Sequence, residues 1–270
     1  MKKTILAVAC CLSTYHFAAT AQEGRLMRAD EIAFYNNIHE VLYSALPHVY
    51  KNWKVVEDGK AFDAKKYFCP LPEDGCYGKI PVSIGKGDPY SLNYFADFTM
   101  PGDESAALMV EGFKIIKDYN NANEIALALK TAAKSKVNLR VFCNIDGGQY
   151  YITYCPKTPP ETIKLPVQAT LALKGVRASA CPIMSGGRPD MAGNYYDNAV
   201  IFLGKPIAKK EQDERSDGIN GTIYYIGFDN SKISKLVTQN IIVQITGDSG
   251  DIDAIVKLID WQKLYNAIGK

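Results

Sequence analysis

Histidine is almost missing from this chain, with three in 270 residues. One of them, His16, falls in an N-terminal leader, which leaves only His39 and His48 to the mature protein. That scarcity argues against a Ser-His-Asp or Cys-His nucleophile, because such chemistry needs an imidazole base beside the attacking atom. No G-x-S-x-G motif is present either. A histidine metal pair is equally disfavoured, since Pro47 interrupts the short stretch between the two. Both read as polar tips on one packed helix.

An excess of charge of either sign is also missing. Without Lys2 and Lys3, 29 basic residues stand against 29 acidic ones. A neutral chain lacks the electrostatic footprint of a nucleic-acid or anionic-membrane binder. After the leader no apolar run is long enough to span a bilayer as a helix. Neither nucleic acid nor an integral membrane span is therefore expected. Internal repeats, low-complexity tracts and Pro/Ser linkers are absent from the sequence too.

What is present begins with that leader, MKKTILAVACCLSTYHFAATAQEG. Lys2 and Lys3 precede an apolar stretch over 5–12, and Ala19-Thr20-Ala21 supplies a small-x-small cleavage site. Residues 1–21 read as a cleavable bacterial signal peptide and 22–270 as a single secreted domain, with a soft division near 135. The expected location is periplasmic or extracellular. Lipid attachment at Cys10 or Cys11 is not expected, because Ala7 and Val8 occupy the position where a leucine is wanted.

Five cysteines remain after cleavage: Cys69, Cys76, Cys143, Cys155 and Cys181. An oxidising compartment permits disulfides. In CPLPEDGC, prolines and a glycine fold the segment back, so Cys69 and Cys76 are the expected pair. A zinc site there lacks partner ligands at finger-like spacing. No metal and no cofactor is expected.

Apolar periodicity gives the class. Helical spacing links Tyr35, Ile38, Leu42, Ala45 and Val49 after Asp30, a residue suited to an N-cap. SLNYFADFTM alternates with period two and reads as a half-buried strand. A central helix pair follows. Ala106, Met109, Phe113 and Ile116 form one stripe, and Asn121 with Glu124 has capping-box spacing before the next helix. Gly147-Gly148 suggests a two-residue hairpin that sets Cys143 opposite Ile152. That register turns Leu139, Val141 and Cys143 to the core. Further strands are expected at 164–174, 176–181, 199–204, 222–228 and 241–246. KIPVSIG reads as a short edge strand because of Pro81. The charged run at 209–222 reads as a solvated loop. At the C-terminus Ile252, Ile255, Val256 and Ile259 form a helical stripe that Asp251 can cap, and Asp260 can cap a second short helix. The class is α+β: mainly antiparallel sheet, with an N-terminal helix, a central helix pair and C-terminal helix packed on it.

The stretch SGGRPDMAGNYYDN, 185–198, has no periodicity and reads as a loop between strands. It holds the candidate ligand-binding residues. Arg188 suits a carboxylate or phosphate, Tyr195 and Tyr196 suit a sugar face, and Asp190, Asn194 and Asp197 add polar partners. No catalytic residue is assigned. Paired carboxylates, Asp190 with Asp197 or two among Asp248, Asp251 and Asp253, would allow glycoside hydrolysis. GDSGDID does not match the EF-hand loop. Export, neutrality and poverty of catalytic groups point to a non-enzymatic exported protein that binds a small molecule, a glycan or an envelope protein. A secreted hydrolase using paired carboxylates is the alternative.

Overall fold

The computed structural model describes residues 28–64, 68–69, 80–81, 90–144, 149–154, 159–176, 197–204, 207–214, 220–226 and 236–270. The expected leader, Cys76, Cys155, Cys181, Gly147-Gly148 and all of 185–198 except Asp197 and Asn198 lie outside these residues. In chain order the elements are α1 (Ala29–Ala45), β1 (Lys54–Glu57), β2 (Phe68–Cys69), β3 (Ile80–Pro81), β4 (Leu92–Thr99), α2 (Gly102–Ile115), α3 (Ala122–Ala133), β5 (Lys136–Cys143) and β6 (Gln149–Tyr154). They continue with β7 (Glu161–Thr162), β8 (Leu171–Lys174), β9 (Asp197–Gly204), β10 (Ile207–Glu214), β11 (Asn220–Ile226), β12 (Asn240–Gly247), α4 (Ser249–Leu258) and α5 (Trp261–Ala267).

Seven strands form one antiparallel sheet in the order β1-β4-β5-β12-β9-β8-β7. A three-stranded sheet runs β10-β11-β6, and β2 pairs with β3. The α+β class read from the sequence is the class observed. Helices α1, α4 and α5 cover one face of the large sheet. Leu42, Ile252, Ile255 and Leu264 meet Tyr94, Phe98, Leu139, Ile201 and Val243 there. On the opposite face Ile152 and Tyr224, from the small sheet, pack on Val200, Phe202 and Ile242. Strands β9 and β12 are thus buried on both faces, which is why their sequences run apolar without alternation. Strand β4 has one polar face, and its inward set is Leu92, Tyr94, Ala96 and Phe98, as its period predicts.

Several sequence expectations are corrected. Strands β5 and β6 do not form a hairpin: Cys143 lies opposite Leu92 and Ile241, and Ile152 lies opposite Thr222. Both edges of β5 are filled by eight-residue neighbours, so β6 leaves for the second sheet. The inward face of Leu139, Val141 and Cys143 is as expected. Burial pushes the free Cys143 thiol up to about 12, which makes it inert. The 164–174 segment is a strand only at its end. Leu165, Val167 and Ala169 pack toward the helices, and Leu171 and Leu173 pack toward the small sheet. Pro166 cannot donate to a ladder, and the face switches before β8 begins. The charged run contributes the end of β10 and the start of β11. Strand β10 is an edge strand with a bulge between Lys210 and Gln212, the setting in which charge protects a sheet. Of the expected strand 176–181 only Val176 is described; it is not in a strand, though its N–H reaches Asn198 O at 3.3 Å.

The helix ends differ in detail. Arg28, not Asp30, is at the N-cap position of α1; its guanidinium cannot accept a hydrogen bond, and Glu31 Oε2 accepts from Arg28 N at 2.7 Å instead. Val49 lies beyond the end of α1 and is 73% exposed. Asp248, not Asp251, caps α4 by accepting from Gly250 N. Asp260 caps α5 as expected, accepting from Lys263 N.

Candidate functional site

Strands β4 and β5 are neighbours, yet residues 100–135 leave the sheet between them and return to the same place. Met100 N donates to Ser135 O at 2.9 Å and closes the base of this helical arm. Helices α2 and α3 pack on each other, and Gly112 is the only buried residue of α2. A Cβ at Gly112 would lie 2.8 Å from Ala128 O, so the close crossing depends on glycine. At the far end Glu124 Oε2 accepts from Lys117 N at 2.6 Å and Asp118 N at 2.9 Å. Asn121 Oδ1 accepts from Asn123 N and Glu124 N. Asn121 is therefore the expected cap, while Glu124 ties the connecting turn instead of closing a box. The backbone hydrogen bonds from Asp118 and Lys117 hold the Glu124 carboxyl below its ordinary range.

The α2 stripe of Ala106, Met109, Phe113 and Ile116 is helical as expected, but it is not core. Met109 is 50% and Phe113 60% exposed, and Ala106 is exposed. Periodicity marks an apolar face; here no layer of the described fold lies over it. Between the helices runs an apolar trough of about 270 Å³. Met109, Phe113 and Tyr119 wall it on one side and Ile125 and Leu129 on the other, above Gly112 and Ala128. A larger hollow of about 780 Å³ lies between α1 and α5. It has polar walls, Asp30, Asn37, Lys263 and Asn266, and the packed surface of Ile38 and Ala267 as its floor.

A second cluster gathers His39 and His48. His48 lies past the helix end, not on it, and its Nδ1 is 2.8 Å from Glu57 Oε2 on β1. Tyr94 OH donates to the same oxygen at 3.0 Å, and the Tyr43 ring stacks on the imidazole at 3.9 Å. A carboxylate at Nδ1 holds the proton there and leaves Nε2 as the accepting atom of the neutral ring. His39 stacks on Phe62 at 4.3 Å, and its buried Nε2 has no hydrogen-bond partner among the described residues. Burial lowers its pKa below the usual 6.5. Above that value the neutral ring fits the folded state without penalty. As the pH falls below it, the unfolded chain takes up a proton that the folded chain resists, so stability is lost. His39→Phe keeps the stack and removes the orphan nitrogen. Its urea midpoint is expected to fall less than that of the wild type between about pH 7.5 and pH 5; equal slopes would show that His39 contributes nothing to the acid side.

The carboxylates proposed for hydrolysis have structural partners. Asp251 accepts from Tyr50 OH at 2.5 Å and Lys51 Nζ at 2.6 Å. Asp253 accepts twice from Lys174 Nζ at 2.8 Å, and Asp248 is the cap described above. On the open face of the sheet, Asp97 binds Arg140 at 2.5 and 3.1 Å and Asn138 at 2.7 Å. Burial raises the Asp97 pKa, but these hydrogen bonds outweigh it and the net direction is down.

Of the loop residues singled out in the sequence, only Asp197 is described. It opens β9, half-buried and opposite Gly247, so the strand starts two residues before the expected Ala199. Arg188, Asp190, Asn194, Tyr195 and Tyr196 lie outside the described residues. Cys69 ends β2 opposite Pro81 of β3, whereas Cys76 is outside them. Sequence reasoning found the apolar stripe of α2 and assigned it to the core. It missed the His48–Glu57 contact, for which the only signal was a carboxylate on the next strand.

The chain matches no protein-family model, no curated protein and no solved structure. Among the described residues no helix is long and apolar enough to cross a membrane, and no three acidic, histidine or cysteine groups converge as metal ligands.

Proposed function

We propose that this is an exported, non-enzymatic binding protein that holds an envelope partner by seating an amphipathic helix of that partner in the trough between α2 and α3. The observation that carries the reading is the arm itself, a helix pair whose apolar face is open to solvent. Two antiparallel helices with such a face present a groove to which a third helix is the natural complement. Exposed apolar surface of this kind on a water-facing protein marks interaction sites. The leader sequence supports export, and neutrality suits a protein partner over nucleic acid. In an oxidising compartment Cys69 and Cys76 would be joined. The β2–β3 pairing supports this, because it brings together the two ends of the segment that contains Cys76.

A photocrosslinking residue placed at Phe113 and, as control, at exposed Val49 tests the reading in the cell of origin. An adduct with another protein is expected from position 113 and not from 49. Equal labelling at both positions, or none at 113, sinks it. The same purified material, mapped without reduction, is expected to begin at Gln22 and to carry the 69–76 bond.

A further inference from the structure

We propose that the arm also pairs with a second copy of this chain, through the outer flank of α2 rather than through the trough. Six residues define that flank: Asp103, Ala107, Val110, Phe113, Lys114 and Lys117. Asp103, Ala107, Val110 and Phe113 follow one another at spacings of three and four on α2, Lys114 lies four residues after Val110, and Lys117 stands two residues beyond the helix end. All six are exposed. The body of the protein lies to the other side, where Glu104 accepts from Asn52.

The order along this flank is acid, small, apolar, apolar, base. That order is self-complementary only when two copies run antiparallel. A two-fold axis through Val110 sets Val110 against its own symmetry mate. It lays the Phe113 ring of each copy over Ala107 of the other, where the small side chain leaves room. It also sets Asp103 of each copy opposite Lys117 of the other. Asp103 stands about 10 Å along the helix from the axis and Lys114 about 6 Å on the other side, at 1.5 Å per residue. Lys114 reaches the same acid from one turn closer. Each charge thus has an opposite partner, twice by symmetry. Parallel packing would place acid against acid and base against base. The trough centres about a third of a turn round α2, and Phe113 stands on the edge that the trough and the flank share, so its ring is the part of the trough wall that the dimer covers. The dimer therefore sets two troughs side by side. An interface made of one helix face is at the small end of the range, so the association is reversible and concentration-dependent.

Sedimentation velocity of the full mature chain, over about a hundredfold range of concentration, tests the pairing. The wild type is expected to shift from monomer to dimer, and Val110→Glu to remain monomeric. Asp103→Lys alone, and Lys114→Asp with Lys117→Asp, are each expected to weaken the dimer about tenfold by juxtaposing like charges. Combining all three is expected to restore it, since the reversed charges pair again. Thermal melts confirm that these surface variants fold. A wild type that is monomeric throughout, a dimer that survives Val110→Glu, or a triple variant that stays weak overturns the proposal. The partner reading fails separately. A heterologous crosslink from position 113 on a monomeric chain would sink the dimer and leave the trough reading standing, and a dimer without such a crosslink would do the reverse.

Discussion

Gly204→Ala is expected to lower stability by about 3 kcal/mol or more, a large share of the roughly 5–15 kcal/mol that holds a typical domain folded. Gly204 ends β9 with φ +109°, in a region that residues with a Cβ rarely enter. Space fails as well as conformation. An added Cβ would lie 2.3 Å from Gln239 O and 2.9 Å from Asn240 Cα, both backbone atoms at the start of β12. Neither can swing aside as a flexible side chain would. Relief would require β9 and β12 to separate at their shared end, where Thr170 Oγ1 also donates to Gly204 O. Denaturant unfolding measures the loss. A midpoint within error of the wild type would show that the end of β9 relaxes freely and that the close approach is not structural.

Glu31→Ala is expected to destabilise by about 2–4 kcal/mol, from two orphaned donors and a small cavity. Glu31 has no solvent exposure. Its Oε2 accepts from Arg28 N at 2.7 Å and its Oε1 from Tyr90 OH at 2.9 Å, with the Arg28 guanidinium 3.4 Å away. The carboxylate therefore joins the N-terminus of α1 to the segment that enters β4. The ion pair itself contributes little, because the Arg28 side chain is more than half exposed. The loss falls on Tyr90 OH and the helix N-terminus, both left without an acceptor. Glu31→Gln keeps the shape and an acceptor, so a loss of about half that size is expected from the weaker, uncharged hydrogen bonds. If both variants melt with the wild type, water replaces the carboxylate and the site is wetter than its burial implies.

The parts of the fold that were legible in the sequence are those governed by neighbours along the chain. Leu92, Tyr94, Ala96 and Phe98 alternate because one face of β4 is covered and the other is not. Asp260 stops one helix and starts the next within a few residues, and the structure keeps both. The β5–β6 register failed for the opposite reason. Gly147-Gly148 is a genuine local signal for a turn, but β4 and β12 compete for the edges of β5, and nothing near residue 143 records their claim. Strand β10 was hidden by its charge, since a sheet edge tolerates lysine and glutamate that a central strand would exclude. The candidate site was half legible. Met109 and Phe113 declared an apolar face through their spacing. Whether another layer covers such a face depends on the whole topology, and spacing carries no trace of it. His48 and Glu57 meet only because the chain turns after Pro47 and returns along β1.

The middle position of the seven-stranded sheet belongs to β12, the last of its strands in sequence order. Its two neighbours, β5 and β9, precede it in sequence and each pairs antiparallel with it. The last residue, Lys270, accepts from Thr238 N just before this strand. While the chain is being made, its N-terminal part thus has half a sheet with exposed apolar edges on either side of a gap. Pairings so distant in sequence form slowly. The large sheet cannot close until β12, Asn240–Gly247, has followed the other six strands, a delay set by the order of the strands. A variant stopped before Asn240 would therefore hold β5 and β9 without the strand that joins them.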